Sequence, residues 1–100
     1  MVKVGIFVRL IAKPGKATEV EQLLMTGRAL VLEESGTPLW FAVRFDTHTF
    51  AVFDAFNDEA GRQAHLTGRI AEALHAHSKE LFASAPVIRS ANVLADKLPS

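Results

Sequence analysis

Apolar and polar positions alternate at the start of the chain. Val4, Ile6, Val8, Leu10 and Ala12 fall on one side of an extended segment, and Gly5, Phe7, Arg9 and Ile11 on the other, so residues 4–13 are predicted as a first strand. Pro14-Gly15 stops it. The period then lengthens: Val20, Leu23, Leu24, Gly27, Leu30 and Val31 form the stripe of a helix with one buried face, opened by Thr18 and Glu21 at capping-box spacing. Ser35-Gly36-Thr37-Pro38 closes that helix.

Alternation returns in LWFAVRFD and TFAVFDAF, residues 39–46 and 49–56, a hairpin turning near Asp46-Thr47-His48-Thr49. Trp40, Ala42, Arg44 and Asp46 share one side of its first strand. Phe50, Val52, Asp54 and Phe56 share one side of its second. Asn57 or Asp58 caps a short helix to about His65. Thr67-Gly68 marks a kink, a longer helix runs from Arg69 to about Ala83, and Pro86 opens a last strand, VIRSANVLA.

The order β-α-β-β-α-β is the split, ferredoxin-like α+β arrangement of an antiparallel sheet, in a single domain spanning residues 1–100. Its helices can cover one sheet face, yet several strands are apolar on both. A second copy of the sheet would cover the other, which predicts a homodimer with sheets packed face to face.

Composition narrows the chemistry. Lys plus Arg and Asp plus Glu balance at 11 each, which argues against nucleic-acid and membrane-surface partners. With no cysteine, thiolate zinc, iron–sulfur and disulfide chemistry are excluded. The N-terminal segment lacks the features of a signal peptide, and no run is long enough to span a bilayer, so the expected compartment is the cytoplasm. There is no glycine-rich phosphate loop, no GxSxG, no HExxH and no carboxylate-rich metal cluster. No metal site is expected.

Four histidines remain. His48 reads as a solvated turn residue. His75 and His77 are two apart on a helix and point in different directions, a poor metal pair. His77 falls on the stripe of Ile70, Ala73, Leu74 and Leu81 and reads as a core or interface histidine. His65 follows Asp58 and Arg62, a charge pair at four-residue spacing, and adjoins the kink where a cavity mouth would open. It is either a general base of ordinary histidine pKa or a helix-end histidine favoured by the macrodipole. Arg9, Arg44 and Asp54 are charges in otherwise buried strands and read as cross-strand or cross-dimer ion pairs. Arg44 is alternatively an anchor for a carboxylate or enolate oxygen, and Trp40 beside it a wall for a planar ligand.

The segment VFDAFNDEAGRQAHLTG resembles the antibiotic biosynthesis monooxygenase family, in which an acidic residue, a spacer, an aromatic, a turn, an Ala and a His follow in order; Asp54, Phe56, Ala60 and His65 take those positions. The first strand with Lys13-Pro14-Gly15-Lys16 and the hairpin Phe45-Asp-Thr-His-Thr-Phe fit as well, so the likeness covers essentially the whole chain. Asp54 and Phe56 stand where the family usually has Glu and Trp. The resemblance implies a dimeric α/β barrel that oxidises a small aromatic, a phenol, quinol or polyketide, with dioxygen and without metal, haem or flavin. It implies His65 as proton acceptor, Arg44 or Asn92 as oxyanion partner, and Trp40, Phe56 and His75 in the substrate pocket. A haem-degrading branch is a weaker match: Val8 and His65 replace its Asn and Trp, and only His75 is retained. A non-catalytic small-ligand-binding dimer is the other alternative, since one fold serves many functions.

Overall fold

The computed structural model describes residues 1–99. It has the element order β1 (Val4–Ile11), α1 (Ala17–Val31), β2 (Leu39–Arg44), β3 (Thr49–Phe56), α2 (Glu59–Leu66), α3 (Arg69–Ala76), α4 (Ser78–Leu81) and β4 (Val87–Asn92). The four strands form one antiparallel sheet in the order β2-β3-β1-β4. This is the βαββαβ fold predicted from the alternation, with the second helical connection divided into three pieces.

The predicted inner faces are the core. Ile6, Val8 and Leu10 of β1 and Phe50, Val52 and Phe56 of β3 are buried with Val20 and Leu24 of α1. Registers Ile6↔Asp54 and Trp40↔Asp54 put Asp54 on this same face, flanked by a strand on each side. Among the described residues no helix lies on the opposite face. Phe41 is 58 % exposed there and Val43, Phe53 and Val87 are exposed beside it.

Three expectations are corrected. Thr18 does not cap α1. The turn at Pro14-Gly15, with Gly15 at φ 79°, brings the Lys16 N–H to the Lys13 carbonyl at 2.9 Å. The chain is thus already curled at Lys16, which takes the cap position and accepts the first helical bond from Val20. The helix expected over residues 69–83 breaks at His77. Leu81 and Phe82 turn into the core, Phe82 bridges to Ala12, and Ala83 N–H bonds the Ile11 carbonyl at 2.7 Å. Packing the chain against the end of β1 in this way requires it to leave the helix axis. His77 is left exposed at the break and is not a core residue of the protomer. Finally, the last strand ends at Asn92, where β1 ends opposite it at Val4.

Among the described residues no helix is long and apolar enough to cross a membrane.

Candidate functional site

Asp58 fixes the direction of α2. Its side chain accepts a hydrogen bond from the Gly61 N–H at 2.9 Å, satisfying one of the free donors at the helix start. Asp58 therefore does not pair with Arg62 as expected. Arg62 pairs with Glu59 one turn away and reaches the carbonyls of Gly5 and Ala91 at 3.3 and 3.4 Å. With its axis set, α2 runs back over β3 and delivers His65, in its last turn, onto the sheet's inner face. The Phe56 ring packs against the imidazole, centroids 5.4 Å apart.

His65 is held by a carboxylate on each ring nitrogen. Nε2 lies 2.6 Å from Asp54 Oδ2 and Nδ1 lies 2.5 Å from Glu34 Oε1. The Asp54 contact is a close ion pair, at an approach outside that of an aligned hydrogen bond, and Coulomb attraction is the less directional of the two. Glu34 is placed by the turn that ends α1: its N–H bonds the Val31 carbonyl at 2.9 Å, and its Oε1 accepts the Thr37 hydroxyl at 2.8 Å. Gly68 leaves room for the same carboxylate, since a Cβ there would stand 2.8 Å from Glu34 Oε2.

Burial of His65 opposes its cation, but the contacts to Asp54 and then Glu34, together with their charges, outweigh it. Its pKa stands above the ordinary 6.5. Both nitrogens face carboxylate oxygens, and the doubly protonated ring is the form that suits them. The arrangement leaves the imidazole no free lone pair for a substrate proton or a metal ion. Among the described residues no group of three or more His, Cys, Asp or Glu side chains is placed to hold a metal.

Beside the triad lies a cavity of about 150 Å³ between the sheet and α2–α3. Ile6, Val8, Val52, Ile70, Leu74 and Ile88 give it an apolar lining, Trp40 closes one side, and Asp54, His65, His75 and Ser78 are its polar members. Asp54 is 1 % exposed, and its Oδ1 has no protein partner. A buried carboxylate oxygen without a donor is costly.

The structure thus gathers Trp40, His65 and His75 around one cavity and separates the other expected site residues. Phe56 is wholly buried behind His65 and supports it without lining the cavity. Arg44 lies in a second groove, with Glu21, Leu24, Met25 and Arg28, which Trp40 also borders. Its guanidinium donates to the carbonyls of Asp46 and Thr47, pairs with Glu21 at 3.4 Å and lies over the Phe50 ring, so it secures the hairpin. Asn92 is exposed at the end of β4 and is not part of the cavity wall. His48 is exposed in the hairpin turn, as expected. Asp54 pairs with a histidine from a helix, not with a strand arginine. Glu34 was not anticipated. Its one signal is an acidic residue just past a helix C-terminus, where the macrodipole disfavours it.

No family model matches the chain, and no curated protein does. Solved structures do. A protein of unknown function from Nitrosomonas europaea is 51 % identical, with a TM-score of 0.97 over 100 % of this chain and 97 % of that one. A "putative antibiotic biosynthesis monooxygenase" from Caulobacter crescentus is 21 % identical, with a TM-score of 0.80 over 94 % of this chain and 92 % of its own. A second Nitrosomonas europaea protein, with the same description, is 13 % identical, with a TM-score of 0.82 over 92 % and 99 %.

Proposed function

We infer the function from one premise: the chain belongs to the family of the Nitrosomonas europaea protein of unknown function and has the antibiotic biosynthesis monooxygenase fold. On that premise it is a monooxygenase that oxidises a small phenol or hydroquinone with dioxygen, using no metal, haem or flavin. The observation that carries this reading is Asp54, a buried acid that lines an apolar cavity and whose Oδ1 has no protein donor.

Such a site supplies what the uncatalysed reaction lacks. The cavity holds the ring and excludes water, and Asp54 takes the hydroxyl proton. The phenolate then passes one electron to dioxygen. The resulting superoxide and phenoxyl radical combine at a ring carbon, and the peroxide O–O bond breaks. One oxygen stays on the ring as a carbonyl. The other leaves as water with the ring hydrogen and the proton first taken by Asp54, so phenol plus dioxygen gives quinone plus water. His65 is a positioning residue in this scheme: its cation orients Asp54 and offsets the phenolate charge as it develops. This moves the proton acceptor from His65, the candidate suggested by the resemblance, to its partner.

The second half of the proposal is a homodimer joined by the exposed sheet face around Phe41, Val43 and Phe53, an apolar surface of the kind that marks a protein interface. The haem-degrading alternative is disfavoured by size and by ligands. A cavity of about 150 Å³ is far smaller than a tetrapyrrole requires, and both His65 nitrogens are engaged.

The test is oxygen uptake with a panel of phenols and hydroquinones, with quinone formation followed in parallel. One dioxygen consumed per quinone formed, lost in Asp54→Asn, is the expected result. Tight binding of the same compounds without oxygen uptake would assign the protein as a small-ligand binder. A Soret band appearing on addition of haem would revive the haem reading.

A further inference from the structure

We propose that the cavity selects a small uncharged aromatic ligand carrying a hydroxyl, held at Asp54, and turns away the same ring carrying a carboxylate. The inference concerns the cavity of the proposed function but is a statement about binding alone.

Size sets the ring count. A cavity of about 150 Å³ with an aliphatic wall matches one in which benzene is held in another protein. Larger polycyclic systems exceed it.

The polar group sets the handle. Asp54 Oδ2 is committed to His65, and Oδ1 is buried without a donor. A ligand hydroxyl supplies that donor in a charge-assisted hydrogen bond, stronger than one between neutral partners. A ring without a donor fills the space and leaves the oxygen unsatisfied.

Charge sets the exclusion. Two acidic side chains, Asp54 and Glu34, flank one imidazole, so acids outnumber bases two to one in this group. A second anion in the cavity would sit against it in a medium that screens poorly. Among the described residues, no Lys or Arg lines the cavity to offset it. Arg28 and Arg44 lie in the separate groove, and Arg62 is committed to Glu59 and to two strand carbonyls. The remaining polar members of the wall are His75, exposed at the surface, and Ser78, which is uncharged. Glu34 thus determines specificity from behind His65, without being among the residues that line the cavity.

The experiment is an anaerobic calorimetric titration of the intact protein with phenol, toluene, benzoate and benzamide, the last an uncharged match in shape for benzoate. We expect phenol to bind one per chain and roughly tenfold or more tighter than toluene. Benzamide should bind and benzoate should not within the same concentration range. Asp54→Asn removes the ligand's acceptor charge, so it should admit benzoate and narrow the gap between phenol and toluene. Glu34→Gln removes one of the two acids without altering the cavity wall, so it should admit benzoate even if Asp54→Asn fails to fold. Benzoate binding to the wild type as tightly as phenol would overturn the proposal, as would phenol binding no better than toluene, or continued exclusion of benzoate by a folded Glu34→Gln. Selective phenol binding without oxygen uptake would leave the proposal standing and sink the monooxygenase reading.

Discussion

Nε2 of His65, at the end of α2, lies 2.6 Å from Oδ2 of Asp54, in the middle of β3. Around that contact β3 presents Val52 and Phe56 to the core, both buried. An apolar residue at position 54 would suit such a strand. Buried ion pairs seldom outdo well-packed apolar substitutes, because desolvation offsets most of the attraction. A pair kept in this position therefore points to a use beyond stability. Removing one partner alone is a different matter.

The first prediction concerns that removal. His65→Ala leaves the buried Asp54 and the half-buried Glu34 without their shared partner, and the loss expected for a broken buried pair is about 3 kcal/mol or more. For a domain of this length that lowers the melting temperature by roughly 10 °C or more. Differential scanning calorimetry decides it. A variant that melts with the wild type would show that the imidazole is not the partner of these carboxylates in solution.

Stability should also depend on pH through His65. Its folded pKa is raised above the ordinary 6.5 by Asp54 and Glu34, against the opposing effect of burial. Below about 6.5 the ring is protonated folded or unfolded, and the full contribution is present; it is lost as pH rises through the folded value. The wild-type melting temperature should therefore fall from about pH 6.5 upward, while His65→Gln stays flat over the same window. At the acid end the sign reverses. Asp46, held below the usual carboxylate range first by the His48 N–H, contributes above that range and loses its contribution as pH falls. A wild type whose melting temperature climbs between about pH 6.5 and 8.5 would contradict the assignment.

Gly68→Ala probes Glu34 without substituting any member of the triad. Gly68 has φ −83°, which alanine adopts freely, so the effect comes from the methyl group, which would crowd Glu34 Oε2. The carboxylate should swing off Nδ1, at a cost of about 1 kcal/mol, and the His65 pKa should drop toward its ordinary value. An NMR titration of the imidazole resonances reads this directly. An unchanged pKa would mean that Glu34 contributes little to the cation.

Much of this fold is legible in the sequence because it follows from period. Alternation assigned both faces of β1 and β3, and Asp54 fell on the inner face together with Phe50 and Val52. What failed depends on contacts between distant segments. Glu34 stands out in no local pattern, since its partner is 31 residues away. Arg44 and Trp40 share a face and border one groove, as read, but four residues along a strand is roughly 13 Å, and Arg44 does not reach the cavity beside His65. The break at His77 reflects the docking of Phe82 beside Ala12, which the helical stripe of Leu74, His77 and Leu81 conceals. Thr18 has the spacing of a cap, but the Gly15 turn had already placed Lys16 there.

Dimer formation is tested most cleanly at Phe41. It is 58 % exposed in the protomer, so the single chain loses little packing when it is changed. Phe41→Asp should give a folded monomer where the wild type sediments as a dimer at micromolar concentration. If the wild type itself sediments as a monomer, the exposed sheet face has another role.

The triad draws its members from residues 34, 54 and 65, and this fixes when it can form. The hairpin with its Asp46 turn and the Asp58-capped α2 are local and can appear early. The His65 links need α1, β3 and α2 all in place, so they belong to the last stage of folding, when the transition state is already past. In stopped-flow experiments, substitutions at Glu34 or His65 should therefore speed unfolding and leave the refolding rate nearly unchanged. The chain finds its topology without its buried charges, and the chemistry of the cavity is free to diverge while the route to the fold stays the same.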